Sequence, residues 1–277
     1  MAKICVTGAS GKLGRGVVRD LLDHGHTVVA TDVRPAPAGL GTPVLLADLT
    51  EYGQAVEVLD GVDAVVHLAN IPAPGIHTPA QTYNTNTVMN ANVFLAAAQL
   101  GLGRVVWASS ETTLGLPFDV PPSYAPVDEA HYPFPTSTYA LSKVVGETTA
   151  EQVAAWSGIP FVALRFSNIH DPEDYATVPG YWDDPHSRKW NLWGYIDTRD
   201  AAAACRLALD APLQGSSSYI IAAADTIMNR PSAELLKEVF PSVEVRRDLG
   251  EFETLLAIDA AREALGFIPR HSWRDHV

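Results

Sequence analysis

Apolar residues along the chain fall into short runs that alternate with segments of helical spacing. The runs at 3–7 (Lys-Ile-Cys-Val-Thr), 26–31, 43–47, 62–67, 104–108 and 161–165 read as strands. The fourth, Val-Asp-Ala-Val-Val-His, is nearly continuous in its apolar character, as suits a parallel strand covered on both faces. Between the runs, residues 12–24 place Leu13, Val17, Val18, Leu21 and Leu22 on one helical face, and 52–59, 78–100, 136–157 and 198–209 also read as helices. Regular strand–helix alternation predicts an α/β fold built on a doubly wound parallel sheet. A strand at 218–222, a helix at 230–239 and a closing helix at 255–265 are expected to add a small C-terminal lobe. The stretch 116–135 carries Pro117, Pro121, Pro122, Pro126, Pro133 and Pro135 and is expected to be irregular.

Composition narrows the partners more than the fold. A formal charge of −13 over 277 residues argues against nucleic acid and against anionic membrane surfaces, because both would repel the chain. No apolar run approaches the ~18 residues of a membrane span. The two cysteines, Cys5 in a strand and Cys205 in an Ala-rich helix, form neither a disulfide framework nor a metal cluster. No metal is expected. The start of the chain lacks the features of a signal peptide, and a cytoplasmic setting is expected.

Candidate chemistry begins at the first strand–helix turn, Thr7-Gly8-Ala9-Ser10-Gly11-Lys12-Leu13-Gly14. Gly8 permits a tight turn, Gly11 lets backbone approach a pyrophosphate, and Gly14 lets helix pack on strand. Backbone N–H groups at the helix start would hold the phosphates. Asp32 ends the second strand, where a carboxylate accepts from ribose hydroxyls and repels a 2′-phosphate, favouring NAD. Arg34 keeps NADP open. The fourth strand ends in Leu68-Ala69-Asn70, on the edge where such sheets hold ligands, while His67 reads as a packed residue. Asn86, on the helix that follows, is a further candidate to line the site, and Ser109 and Ser110 end the fifth strand toward the same crevice. Tyr139 and Lys143 stand four apart on a helix, a phenol and an ammonium on one face. A positive charge beside a tyrosine favours the phenolate and fits it for general base work. Between 171 and 194, Tyr175, Tyr181, Trp182, Trp190 and Trp193 lie among polar residues, which suits either a polar ring-shaped ligand or a small packed lobe.

Together, in this order, these motifs resemble the extended short-chain dehydrogenase/reductase family, also called the NAD-dependent epimerase/dehydratase family. The motifs 7–14, Asp32, Asp48-Leu49, 67–70, Asn86, Ser109-Ser110 before Gly115, Tyr-Ala-Leu-Ser-Lys at 139–143, 165–168 and 197–201 carry the likeness over nearly the whole length. It implies a Rossmann domain over 1–168 that binds NAD, and a mixed region over 169–277 with substrate loops, a small lobe and returning sheet elements. It also implies that Ser110 polarises a substrate oxygen and Tyr139 moves the substrate proton. Lys143 would hold the nicotinamide ribose and lower the Tyr139 pKa. Asp48 and Leu49 would lie near the adenine, Asn168 would contact substrate, and helices 80–100 and 136–157 would pair in a homodimer.

The departures bear on substrate. Sugar-nucleotide dehydratases of this family have Thr-Asp-Glu where this chain has Ser110-Glu111-Thr112, and the segment from Asn168 to Asp197 is short for a nucleotide-sugar clamp. A small sugar-like substrate is expected, with a likeness to uronate dehydrogenases. Glu111 and Ser109 are candidate substrate contacts, and Arg188 or Lys189 a candidate partner for a carboxylate. The expected activity is NAD-dependent oxidation of a sugar or sugar-acid hydroxyl. A sugar epimerase and a non-catalytic NAD(P) sensor are the alternatives.

Overall fold

The computed structural model describes residues 1–131 and 134–277. Pro133, in the loop expected to be irregular, lies outside the described residues. Alternation along β1 (Lys3–Thr7) sends Ile4 and Val6 to one face of the sheet and Cys5 to the other, and all three are buried. Helix α1 (Lys12–Asp23) follows, then β2 (Thr27–Asp32), β3 (Val44–Leu46), α2 (Tyr52–Leu59), β4 (Ala64–His67), α3 (Pro79–Leu100) and β5 (Arg104–Ser110). A two-residue β6 (Tyr124–Ala125) precedes α4 (Thr138–Ser157) and β7 (Phe161–Phe166). The rest comprises β8 (Ile169–His170), β9 (Ile196–Asp197), α5 (Thr198–Asp210), β10 (Ser216–Ile221), α6 (Ser232–Val239), β11 (Glu244–Val245) and α7 (Asp259–Leu265).

Seven strands form one parallel sheet in the order β10-β7-β5-β4-β1-β2-β3. Helices cover both faces, as the doubly wound pattern predicts. On one face α1 packs against α5, whose Ala201, Ala202, Ala204 and Ala208 keep the contact shallow. Gly16 is needed there, since a Cβ would lie 2.7 Å from Thr198 Cγ2. The other face is covered by α2, α3 and α4. Its centre is Phe94, edge-to-face with Trp107 and Phe161 at centroid distances of 5.3 and 5.2 Å. Such pairs add about 0.5–1.5 kcal/mol each beyond burial. A third core, with Leu114, Tyr175, Trp193, Leu235, Leu256 and Trp273, lies over the carboxyl edge of the sheet on the C-terminal side.

Two expectations are corrected, and one left open is decided. Helix α7 begins at Asp259, because Leu255 to Ala257 run extended against Val127, with backbone bonds of 2.8 Å in each direction, and bury Leu255 and Leu256 in the third core. The proline-rich loop is not wholly irregular: β6 within it pairs with β11. The segment around 171–194 forms two 3₁₀ helices, Pro172–Tyr181 and Pro185–Asn191. Its aromatics divide between core and surface: Tyr175 and Trp193 are fully buried in the third core, while Tyr181, Trp182 and Trp190 pack against it from outside.

Candidate active site

The sheet grows in opposite directions from β1 and β4, whose carboxyl ends lie side by side with Thr7 opposite His67. Doubly wound sheets hold ligands at such a crevice. One wall is the glycine turn. Gly8 has φ of +68°, and a Cβ on it would lie 2.7 Å from the Ala69 nitrogen. A Cβ on Gly14 would lie 2.1 Å from the Gly8 carbonyl oxygen. Gly11 differs, since a Cβ there would meet only that oxygen, at 3.2 Å. Its open side is free for a bound group. Helix α1 starts there with no capping side chain, so its first N–H groups are available to an anion.

Thr7 ties this wall to the next. Its Oγ1 accepts from the Leu68 and Ala69 N–H groups at 3.1 Å each, so its own proton goes to His67 Nδ1 at 2.7 Å. That leaves the His67 proton on Nε2, which donates to Asn90 Oδ1 at 3.0 Å. Burial pulls the His67 pKa down to about 3, with the Lys143 charge in support, so the ring stays neutral. His67 is the packed residue expected. Asn70 is otherwise: both its side-chain polar atoms are buried without a partner. Buried polar groups are normally satisfied, so an unpaired amide at the crevice fits a site that a polar ligand completes.

Asp32 lies at the end of β2. Its Oδ2 accepts from the Ser10 N–H and its Oδ1 from the Arg34 N–H, both at 3.0 Å, and the carboxylate retains acceptor capacity. The Arg34 side chain is exposed, with Nε 3.7 Å from Asp32. Leu13 and Leu49 are core residues. Asp48 is exposed and accepts from the Thr50 N–H and hydroxyl. Two candidates are held by other partners. Lys12 pairs with Asp174, and Asn86 clamps both the N–H and the carbonyl of Ile71.

Beyond this crevice lie the groups suited to proton transfer. Strand β5 ends in Ser109 and Ser110, as expected. Ser110 caps the 3₁₀ turn Glu111–Leu114, accepting at Oγ from the Thr112 N–H and hydroxyl at 3.2 and 3.0 Å. Its own proton is thereby left for another acceptor, and its hydroxyl acts on the Tyr139 phenol, lowering its pKa. Lys143, 1% exposed, donates to the Ala108 carbonyl at 2.7 Å, with Nζ 5.5 Å from the Tyr139 ring centre. The expected lowering of the tyrosine is not found. Burial pushes the Tyr139 pKa up to about 12, with Ser110 acting against and Glu111 adding to the rise. Burial also pulls Lys143 down to about 7, so the ammonium charge is itself weakened. The Ser109 hydroxyl donates to Glu147, which is forked by Arg165 at 3.0 and 2.7 Å.

Glu111 is 3% exposed and lies close enough to Tyr139 to act on its charge. Its Oε1 accepts from Asn191 Nδ2 at 3.1 Å. Desolvation pushes its pKa up to about 7, opposed by Ser167, Asn191 and Arg188. Arg188 is buried between the Tyr181 and Trp190 rings and donates to Asn168 Oδ1 at 3.1 Å. Asn191 and Ser167 were not among the sequence candidates. Ser167 follows β7 at the carboxyl edge, a position that topology alone could have flagged, whereas nothing local distinguishes Asn191.

The NAD dependent epimerase/dehydratase family model matches residues 4–222. A UDP-glucose 4-epimerase of Rhizobium leguminosarum is 25% identical over 97% of this chain and 93% of its own. A uronate dehydrogenase of Pseudomonas putida is 30% identical over 62% of this chain and 63% of its own. The fold matches that of a short-chain dehydrogenase/reductase superfamily protein from Agrobacterium tumefaciens with bound NAD, at a TM-score of 0.76 and 24% identity, covering 98% of this chain and 94% of that one. A glycine turn, an acidic β2 end and a serine–tyrosine–lysine set on one crevice thus accompany a match over most of the chain, and the protein belongs to the NAD-dependent epimerase/dehydratase family.

Proposed function

We propose that the protein is an NAD-dependent oxidoreductase acting on a carbinol carbon of a sugar or sugar acid. The observation that carries this reading is the meeting of the Ser110 and Tyr139 hydroxyls beside buried Lys143 at the carboxyl edge of the sheet. The glycine turn, Asp32 and Asn70 would hold the dinucleotide, which when bound supplies the hydride acceptor or donor. Ser110 donates its free proton to the substrate oxygen and stabilises the charge that develops there. Tyr139, held protonated by burial, gives its proton to that oxygen in the reducing direction and is left as the phenolate; the oxidising direction starts from that phenolate, which takes the hydroxyl proton. Glu111, Asn168 and Arg188 line the substrate end.

Tyr139→Phe tests the assignment. Turnover is expected to fall about 10³-fold with NAD affinity within about threefold of wild type; substantial residual turnover would remove Tyr139 from the chemistry. A second reading, a sugar epimerase, is favoured by the match to a UDP-glucose 4-epimerase along 97% of the chain. Interconversion of sugar isomers without net NADH would establish it. We also propose a homodimer through α3 and α4, which leave Val88, Leu95, Leu141 and Trp156 exposed. Light scattering checks it.

A further inference from the structure

Helix α4 sets three polar side chains about one turn apart on a single stripe: Tyr139, Lys143 and Glu147. Each meets one of three consecutive residues at the end of β5. The Ser110 hydroxyl acts on the Tyr139 phenol, Lys143 Nζ donates to the Ala108 carbonyl at 2.7 Å, and the Ser109 hydroxyl donates to Glu147 Oε1 at 2.5 Å. Helix and strand are in close contact, since a Cβ on Gly146 would lie 2.9 Å from the Trp107 ring. Tyr139 and Lys143 belong to the chemistry, and Glu147 stands one turn behind them.

Glu147 is firmly held. Arg165, the β7 residue opposite Ser109 in the sheet, forks its two carboxylate oxygens at 3.0 and 2.7 Å and also donates to the Glu129 carbonyl at 3.3 Å. The Glu147 and Arg165 side chains are only 14% and 6% exposed. With Oε1 accepting from Ser109 and Arg165 Nε, and Oε2 from Arg165 Nη2, the carboxylate cannot turn without giving up a charge-assisted bond. The Ser109 hydroxyl is fixed by it, and so is the strand end that carries Ser110.

The same carboxylate acts on Lys143. Burial disfavours the ammonium, and the Glu147 charge opposes that. The other groups nearby offer no such support: His67 on β4 is neutral, Arg165 on β7 is cationic, Tyr139 is protonated, and the Glu111 charge acts on Tyr139.

Resting on the oxidoreductase reading, we infer that Glu147 is a positioning residue of this active site: through Ser109 it fixes the strand end that presents Ser110, and through its charge it keeps Lys143 an ammonium.

The first test needs no substrate. In the full chain grown on lysine isotopically labelled at Cε, the nuclear magnetic resonance signal of Lys143, identified by its loss in Lys143→Met, is followed as pH is varied. Glu147→Gln keeps the size of the side chain and an oxygen for Ser109 but removes the charge. It is expected to move the Lys143 midpoint down by about one pH unit, and an unmoved midpoint overturns the inference. The second test reads turnover of whichever of D-glucose, D-galactose, D-glucuronate and D-galacturonate wild type oxidises. Ser109→Ala is expected to lower kcat about tenfold with KM and NAD affinity within about threefold of wild type, and Ser109→Thr, which restores the hydroxyl, to recover most of the loss. Unchanged kcat in Ser109→Ala, a loss confined to KM, or no recovery in Ser109→Thr overturns the inference. Should Glu147→Gln not fold, the two Ser109 variants decide. Wild type that forms neither NADH nor sugar isomers would sink the oxidoreductase reading, while the Lys143 midpoint would still judge the role of the Glu147 charge.

Discussion

The glycine turn and the Glu111 cluster face the same crevice and are built on opposite principles. At the turn, side chains are missing because backbone already occupies the space: Gly8 against Ala69, Gly14 against Gly8. Around Glu111, side chains are present but incompletely bonded, with Asn191 Oδ1 and Arg188 Nε left without a partner. The first region is closely packed by the protein's own backbone and offers a ligand the uncapped N–H groups at the start of α1. The second is left under-satisfied and asks a ligand for hydrogen bonds. Substitutions in the two regions should therefore fail differently, the turn losing stability and binding together, the unpaired polar groups losing binding alone.

Gly14→Ala is the largest expected effect, since a backbone carbonyl 2.1 Å from the new Cβ cannot step aside. Overpacking of about 1–3 kcal/mol should lower Tm by about 5 °C and NAD affinity by about 100-fold, against about tenfold for Gly11→Ala. Equal losses by calorimetry would erase the distinction between the two glycines. Asn70→Ala comes next: NAD affinity should drop about tenfold while the Tm of the free protein holds or rises, because an unsatisfied buried amide costs about 1–3 kcal/mol. A clear fall in Tm would show that the amide is satisfied after all.

The last effect is in pH. The Glu111 pKa rises on folding from 4.5 to about 7, so the folded state binds more protons in that window. Its contribution to stability is full below pH 4.5 and is lost as pH rises through about 7. Lys143 falls from 10.5 to about 7, so the folded state binds fewer protons between those values and stability should climb with pH across them. Melting scans of the NAD-free protein should show Glu111→Gln flattening the lower window and Lys143→Met the upper one. A wild-type slope that survives either substitution would place the titration elsewhere.

Sequence by itself determined the layered sheet, the glycine turn, Asp32 and the Ser110, Tyr139 and Lys143 set. Each of these is written in local spacing: period two in the strands, a helical repeat, glycines three apart, a phenol and an amine four apart. The tertiary structure decided what those residues do once buried. It sent the Ser109 hydroxyl to Glu147, gave Asn86 to Ile71 and Lys12 to Asp174, and raised Tyr139 where a nearby ammonium was expected to lower it. It also joined Glu111 to Asn191, 80 positions away. Burial and long-range partners set hydrogen bonds and pKa values, and neither has a period that a linear pattern can carry.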